Sequence, residues 1–468
     1  MAHAVSGLSS EPGISSRLNS KCAGLERSII IGLHWAPTKM STIFAFGRSG
    51  IEVPVPDEYD CAVIESRYVT PLADANDALQ HALDHPLASA PIGDLAKGKK
   101  RVAIAVCDIT RPAPNSLTLP PLLDRLHRSG ISHDGITILI ATGLHRAATP
   151  AEVEQIVGPG IARSYRVISN DARAIGQHRH LGTSNRGTPI HIHNDFVDAD
   201  LRITLGFIEP HLMAGYSGGR KLVVPGVAAE PTIKAIHSPL FMREPLATEG
   251  SIEGNPLHNE LLEIARVARH DFILDVTLTR DRRISGVFAG DPVVAHAAGV
   301  RWVQEFCLEY LDEPSDLVIT SSAGFPLDLT FYQSVKAVTA AQHLIKKGGR
   351  ILVVAECSEG MGSTEFATSL KKIRSFEAYL AEIANPPVKI DQWQVEKLAL
   401  AALRSELFFY TPGVQAEDLG ILKNRCLPTM KGAVTAATAS LSRGAKILLV
   451  PEGPYTFAKV LRSVSETQ

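Results

Sequence analysis

The sequence lacks the features that mark several large classes of protein. Its six cysteines lie far apart along the chain, at Cys22, Cys61, Cys107, Cys307, Cys357 and Cys426. They form no C-x-x-C spacing, so neither a structural zinc site nor a disulfide framework is indicated. The formal net charge is -2, and no apolar run approaches the ~20 residues of a membrane span. We therefore expect a cytoplasmic protein with reduced thiols, without nucleic-acid or membrane partners.

Two nucleotide-binding motifs are also missing. No G-x-G-x-x-G follows a strand pattern, so the usual fingerprint of NAD-binding proteins is absent. The stretch "SGGRKLVV" superficially resembles a phosphate-binding P-loop, which ends in Gly-Lys-Ser/Thr. Here Arg220 precedes Lys221 and Leu222 follows it, so the hydroxyl that would bind Mg²⁺ is missing. We therefore reject a nucleotide hydrolase.

The composition is that of a globular protein, except at the N-terminus. The 468 residues are 45% hydrophobic and 21% charged, which allows two or three cores. Residues 1–39 are rich in Ser and Gly, and their one apolar patch is short and contains His34, which makes a poor signal sequence. We expect a disordered extension there, or an upstream start codon wrongly chosen. Folded structure is expected to begin near Met40.

Beyond Met40, apolar runs alternate with amphipathic helical patterns. Runs typical of strands buried on both faces of a parallel sheet lie at 101–106, 135–142, 201–208, 317–320, 350–357 and 445–453. Helical patterns lie at 116–128, 255–269, 291–310, 331–346, 364–384 and 390–406. A β-hairpin beside the sheet is predicted at 277–291. The alternation predicts an α/β fold.

A polar, proline-containing junction, "LDEPSD", divides this pattern in two. We expect a cofactor-binding catalytic domain at 40–312 and a second α/β domain at 313–452. Residues 453–468 are expected to form a C-terminal tail that packs back on the first domain.

Polar side chains follow three of the predicted strands, where ligands bind in α/β sheets. Asp108, Thr110 and Arg111 follow the first strand, although a capped turn with a solvated Arg111 is an alternative. His145 follows the second, on a short loop before the capping box "TPAE", and it competes with a plain surface histidine. "EPHLMAGYSGGRK" follows the third and brings His211.

Lys221 lies between this glycine loop and apolar sequence. Partial burial there would lower its pKa and make it a nucleophile able to form a covalent adduct. His237, sixteen residues further on, is either a metal ligand or a helix-end histidine. Tyr332 and Lys336 share one face of a predicted helix, which is alternatively a solvated face. Trp393 taken alone is a core residue.

Together these segments resemble the nickel-dependent lactate racemase family of 2-hydroxyacid racemases and epimerases. The motifs occur in family order, as "DITRP", "GLHR", "HLMAGYSGGRK", His237, "YQSVK" and "DQW". The resemblance runs from about Met40 to "LLVPEGPY", nearly the whole chain. It implies two Rossmann-like α/β/α domains with the active site in the cleft between them.

The resemblance also implies a cofactor and a set of roles. The cofactor is a nickel-pincer nucleotide, Ni(II)-pyridinium-3,5-bisthiocarboxylate mononucleotide, bound covalently at Lys221 with its nickel ligated by His237. Asp108, Ile109, Thr110 and Arg111 would hold the cofactor, and cofactor-biosynthesis enzymes would be maturation partners. His145 and His211 would be the paired acid/base groups. The implied substrate-binding residues are Arg111, Tyr332, Gln333, Lys336 and Trp393.

The reaction implied is racemisation of a 2-hydroxy acid, lactate or a related one, by reversible hydride transfer from the α-carbon to the cofactor. Each hand of the hydroxyl group needs its own base, hence two histidines. A site split between domains implies hinge closure that excludes water. Two alternatives remain: a hydroxy-acid dehydrogenase or lyase on the same scaffold, and a non-catalytic two-domain binder of hydroxy acids.

Overall fold

The computed structural model describes residues 41–461, so the expected extension at 1–39 lies outside the described residues. Two large sheets, of six and five strands, organise this part of the chain. Helices cover both, and the predicted α/β class is confirmed. None of the helices formed by residues 41–461 is long and apolar enough to cross a membrane.

The first sheet has six strands. In spatial order they are Ile284–Gly290, Phe272–Leu278, Leu201–Phe207, Val102–Cys107, Ile136–Ala141 and Arg166–Ser169. All neighbours pair in parallel except the hairpin Phe272–Leu278 and Ile284–Gly290, which forms one edge. Numbered along the chain, the order is 3-2-1-4-5-6. In this order the strand sequence reverses between the first and fourth strands, and a crevice opens beyond their carboxyl ends.

The second sheet has five strands, all parallel. In spatial order they are Glu406–Tyr410, Ile345–Val354, Ser315–Ser321, Lys446–Val450 and Asp60–Val63. The last of these comes from the N-terminal part of the chain. The boundary expected at 312 therefore does not describe residues 41–64, because Asp60–Val63 completes the edge of the second sheet through pairing with Lys446–Val450.

Helices flank both sheets. Those around the first sheet are Ala75–Asp84, Ile92–Ala96, Asn115–Arg128, Pro150–Val157, Pro159–Ser164, Asn194–Val197, Glu230–Ile236, Pro239–Met242, Pro256–Val267 and Val294–Cys307. Those of the second sheet are Phe331–Ala341, Thr364–Lys372, Phe376–Glu382, Gln392–Ala402 and Met430–Thr438. Short strands pair outside the sheets: Ser41–Phe44 with Ile51–Pro54, His178–Thr183 with Pro189–His193, Pro210–His211 with Gly215–Tyr216, and Glu309–Leu311 with Ala458–Val460.

Local signals account for most element boundaries. The predicted capping box is present, with the Thr149 hydroxyl accepting from the Glu152 amide at the start of Pro150–Val157. The single helix predicted at 364–384 is wrong: the chain forms two helices. Ser375 caps the second by accepting from the Ala378 amide, which interrupts the first.

The contacts between the two sheet units include the following two. Glu396, on Gln392–Ala402, is fully buried and its carboxylate lies 2.6 Å from the Arg243 guanidinium of the first unit. At the other place, the C-terminal segment lies on the first unit. The Phe457 ring packs edge-on against Tyr216 at 6.0 Å, and Lys459 Nζ donates to the Gly250 carbonyl at 3.2 Å.

Candidate active site

Three neighbouring parallel strands end at one edge of the first sheet. They are Ile136–Ala141, Val102–Cys107 and Leu201–Phe207, the last two flanking the point where the strand order reverses. The segments that follow them carry the polar side chains singled out in the sequence. The structure therefore brings Asp108, His145 and His211 to one edge, as the position of ligand crevices in α/β sheets predicts.

Asp108 orients His145. The Asp108 carboxylate is 7% exposed, and its Oδ2 accepts from His145 Nδ1 at 2.7 Å. Its other oxygen accepts from the Thr110 hydroxyl at 2.7 Å. Burial raises the pKa of this carboxyl, but the hydrogen bond from His145 and the charges of His145 and Arg111 outweigh burial and hold the pKa below its ordinary value. Because an ionised carboxylate accepts only from an N–H, this contact keeps a proton on His145 Nδ1 and leaves Nε2 as the nitrogen available to a substrate.

His211 is held in the opposite sense. Its Nδ1 accepts from the backbone amides of Met213 at 3.3 Å and Ala214 at 3.2 Å. Burial, together with the charges of Lys221 and Arg111, holds the pKa of His211 well below its ordinary value, so the ring is neutral. A neutral ring that accepts at Nδ1 carries its proton on Nε2. That nitrogen lies 3.0 Å from Lys221 Nζ.

Lys221 contributes an amine to the site, and its side chain is half-buried. Burial is the largest cause that holds its pKa well below the ordinary value, followed by the charges of Arg111, Arg220 and Lys336. The lowered pKa predicted from sequence is confirmed. An uncharged amine can accept the Nε2 proton of His211 as a hydrogen bond, which agrees with their separation. Its lone pair is also what a nucleophile requires.

His237 contacts the second unit. It ends helix Glu230–Ile236, and its Nδ1 donates to the Ile233 carbonyl at 2.8 Å. Burial lowers its pKa to about 4, so Nε2 is an unprotonated nitrogen. The Trp393 ring, 5% exposed, lies 4.6 Å from the imidazole centroid to centroid. Trp393 is thus both a core residue and a neighbour of His237.

The second unit contributes helix Phe331–Ala341 to the cleft. The Tyr332 hydroxyl donates to Asp391 Oδ1 at 3.3 Å, and the buried Oε1 of Gln333 has no hydrogen-bond partner among residues 41–461. Lys336 is half-buried. Burial and the charge of Arg111 lower its pKa, while Glu209 opposes the shift. The charges of Arg111 and Glu209 therefore act on Lys221 of the first unit and on Lys336 of the second.

Glu209 is a site residue that the sequence analysis did not identify. It follows strand Leu201–Phe207 after one residue, and the charges of Arg111, Lys336 and Lys221 all act on it. Burial nevertheless raises its pKa. It lines a cavity of about 150 Å³ together with Pro112, Arg282 and Tyr455. The rule that identified Asp108, a polar residue just after a buried strand, would have found it.

The other two predicted residues of the first loop, Ile109 and Arg111, lie in the segment that follows strand Val102–Cys107. Ile109 packs against the apolar core of the first sheet. Arg111 acts electrostatically on Asp108, Glu209, His211 and Lys221, which puts its charge at the centre of the group.

Two imidazoles held through their Nδ1 atoms in opposite senses and a lysine amine, with the charges of Arg111 and Lys336 acting on His211 and Lys221, are groups suited to moving protons on a small anionic molecule. Family comparison agrees. The lactate racemase N-terminal domain matches residues 46–250, and the lactate racemase C-terminal domain matches residues 311–456. The chain belongs to the lactate racemase family and is an isomerase.

Individual relatives extend over most of the chain. The lactate racemase of Thermoanaerobacterium thermosaccharolyticum is 33% identical over 87% of this chain and 96% of its own length. That of Lactiplantibacillus plantarum is 34% identical over 81% of this chain and 89% of its own. The structure of the T. thermosaccharolyticum apoprotein superposes with a TM-score of 0.83 at 31% identity, covering 90% of this chain and all of that one. A Thermotoga maritima protein shares the fold at 15% identity, with a TM-score of 0.61 over 84% of this chain and all of that one.

Proposed function

We propose that this protein racemises or epimerises a 2-hydroxy acid, with lactate the first candidate because two similar proteins bear that name. The observation that carries the proposal is that two imidazoles at one sheet edge are held through Nδ1 in opposite senses. His145 donates from Nδ1 to Asp108, which leaves Nε2 for a substrate, and His211 accepts at Nδ1 from two backbone amides, which puts a proton on its Nε2. One group accepts the hydroxyl proton of one enantiomer and the other supplies the proton of its mirror image.

The residues present fit a nickel-pincer nucleotide. Nδ1 of His237 is committed to a backbone carbonyl, which leaves Nε2 as the kind of nitrogen that ligates a metal. The Lys221 amine is half-buried and its pKa is held well below the ordinary value, which favours the uncharged form that a covalent tether needs. Asp108, Ile109, Thr110 and Arg111 form the adjacent loop that would hold the nucleotide. When bound, the cofactor supplies an acceptor for the hydride of the substrate α-carbon, which it can return to either face.

The side chains of both units supply binding and proton transfer. Arg111 offers a planar two-point grip on the substrate carboxylate and Lys336 a point charge. Tyr332 and Gln333 lie on the same helix and would hydrogen-bond the substrate, and Trp393 closes the wall beside His237. With the cofactor bound, His145 Nε2 would take the hydroxyl proton as the α-carbon gives up its hydride and becomes a planar ketone. Return of a hydride to the other face would give the opposite enantiomer, with the hydroxyl proton supplied from Nε2 of His211 in its protonated form, which would then become neutral.

Three further parts of the proposal concern context. The two sheet units would act as two Rossmann-like α/β/α domains that close over the cleft and exclude water, with residues 41–64 moving with the second. Cofactor-biosynthesis enzymes would be needed for maturation. The protein would act in the cytoplasm, where thiols such as the free Cys61 and Cys357 stay reduced.

The test uses protein matured together with the cofactor-making enzymes. Intact mass should show a covalent adduct that Lys221→Ala abolishes. A panel of 2-hydroxy acids, each with deuterium on the α-carbon, should then be racemised with the label retained. His145→Asn and His211→Asn should each stop racemisation in both directions.

His81→Asn is the matched control, because His81 is an exposed histidine on helix Ala75–Asp84. It should racemise at the wild-type rate. Loss of the deuterium to water would contradict hydride transfer. Oxidised product accumulating without racemisation would identify a dehydrogenase, and an adduct-free mass for the matured wild type would exclude the tether.

A further inference from the structure

A buried charged cluster lies beneath the glycine loop and takes no part in the proposed chemistry. Its members are Arg220, Asp275 and His296, which are 1%, 0% and 3% exposed. They come from the loop itself, from the middle of strand Phe272–Leu278 and from helix Val294–Cys307. Burying an arginine and a carboxylate is costly unless their hydrogen bonds are made. The hydrogen-bond partners of these three side chains therefore show which part of the backbone the cluster stabilises.

Arg220 binds the backbone of the loop. Its Nη2 donates to the carbonyls of Ala214 at 2.9 Å and Tyr216 at 3.1 Å. Its Nη1 lies 2.8 Å from His296 Nε2, and the same imidazole nitrogen is 2.7 Å from the Ser217 carbonyl. A fully buried guanidinium thus spans the loop that precedes it and ties that loop to a helix.

Asp275 binds the same loop from the sheet side. Its Oδ2 accepts from the Gly219 amide at 2.7 Å. A Cβ on Gly218 would lie 2.5 Å from that oxygen, and a Cβ on Gly206 would lie 2.9 Å from the other. Gly218 also has φ +81°, which favours glycine. Glycine at these positions lets the carboxylate reach the backbone.

These contacts close a ring that includes two proposed active-site residues. Arg220 is the chain neighbour of Lys221 and donates to the Ala214 carbonyl. The Ala214 amide donates to His211 Nδ1, and His211 Nε2 lies 3.0 Å from Lys221 Nζ. One peptide segment at Ala214 therefore links the buried guanidinium to the tautomer of His211. The fixed backbone of Arg220 in turn sets the direction of the Lys221 side chain.

We propose that Arg220 is the positioning residue for Lys221 and His211: with Asp275 holding the Gly219 amide and His296 lying beside Nη1, its guanidinium holds the loop 214–219 so that the amine and the imidazole meet. The inference rests on the proposed role of Lys221 as the attachment point. It adds a function for the arginine that precedes it. A lysine at position 220 could not reproduce this planar set of contacts with two carbonyls and the edge of an imidazole, because an ammonium lacks the planar fork.

The test measures the amine in cofactor-free protein. The protein is labelled with acetic anhydride across a range of pH, and the extent of acetylation at Lys221 is read by peptide mass spectrometry. The pH at half-maximal labelling reports the proton affinity of the amine and is independent of how easily the reagent enters. The pKa of this amine also depends on the charges of Arg111, Arg220, Lys336 and Glu209. A variant that keeps these charges keeps their effect on the labelling curve.

Arg220→Lys keeps the charge and removes the fork. We expect the half-labelling pH of Lys221 to rise by about one unit or more, since the loosened loop admits water to the amine. Arg202→Lys is the matched control: Arg202 is also a buried arginine, 3% exposed and paired with Asp271, but at the start of strand Leu201–Phe207. That variant should lose stability without moving the labelling curve of Lys221.

An unchanged labelling curve in folded Arg220→Lys would overturn the proposal, as would an equal shift in Arg202→Lys. If Arg220→Lys does not fold, His296→Gln decides, because it alters the anchor of Nη1 and leaves the guanidinium in place. An upward shift then supports the proposal and an unchanged curve overturns it. Because no cofactor or substrate is present, this result is separate from the adduct and racemisation tests of the proposed function.

Discussion

Replacing Asp108 with asparagine tests the orientation of His145 most directly. The substitution keeps the size of the side chain and removes its charge. In the native protein the buried carboxylate accepts from His145 Nδ1 at 2.7 Å. An asparagine either accepts more weakly through its oxygen or presents its amide group to Nδ1. The second arrangement moves the imidazole proton to Nε2, where the lone pair is needed.

The magnitude follows from the hydrogen bond. A bond to a charged partner contributes about 1.5–3 kcal/mol, and each 1.36 kcal/mol of lost transition-state stabilisation slows a reaction about tenfold. Asp108→Asn should therefore lower the racemisation rate of cofactor-loaded enzyme by about 10- to 150-fold, and by more if the tautomer reverses. Since the pKa of Asp108 lies below its ordinary value, the carboxylate is charged at neutral pH, and the defect should persist from about pH 6 to pH 8.

The assay is the loss of optical rotation of a pure enantiomer, divided by the fraction of protein whose intact mass shows the adduct. This correction separates proton transfer from loading. Asp84→Asn is the control: Asp84 pairs with Arg125 at 2.8 Å on the surface of the first unit and should leave the rate unchanged. A corrected rate for Asp108→Asn within threefold of wild type would refute the orienting role.

Two further predictions concern stability. Arg243→Ala leaves the fully buried Glu396 carboxylate without its 2.6 Å partner and should lower the free energy of unfolding in urea by about 3 kcal/mol. Adding Glu396→Gln to this variant should restore most of the loss. A loss below about 1 kcal/mol in Arg243→Ala would contradict the prediction. Burial, with Arg220 adding to it, lowers the pKa of His258 to about 3. Below about pH 6.5 the unfolded chain therefore binds a proton at this histidine that the folded protein does not bind. The free energy of unfolding thus decreases as the pH is lowered. Between pH 7.5 and pH 5 wild type should lose about 2 kcal/mol more than His258→Gln, and parallel pH profiles would refute the assignment.

Local pattern was sufficient for much of the fold and of the site. The strands Val102–Cys107, Ile136–Ala141 and Leu201–Phe207 are long apolar runs. A strand buried on both faces has a nearly continuous apolar sequence, so it can be recognised from the sequence alone. The polar residues that follow them were found by position alone. Asp275 could also have been identified as a candidate from the sequence, since it is a carboxylate in the middle of the otherwise apolar strand "FILDVTL".

Pairing between distant segments was not readable in the same way. Asp60–Val63 is four residues long, and nothing in it indicates that it pairs with Lys446–Val450 at the edge of the second sheet. The contact between His237 and Trp393, and the hydrogen bond from Tyr332 to Asp391, also join segments far apart in the chain. A short segment does not carry the identity of its partner, because periodicity specifies which face is buried and not what covers it.

The amino-acid sequence by itself determined the α/β class, the polar ends of three strands and the motif order of the lactate racemase family, because each of these depends on residues close together in the chain. Only the tertiary structure decided the surroundings on which the protonation of the site depends. Whether Lys221 is a free amine, and on which nitrogen each imidazole carries its proton, depends on burial and on partners such as Asp108 and Ala214 that the fold brings together. The electrostatics of a cleft are set by distances in space.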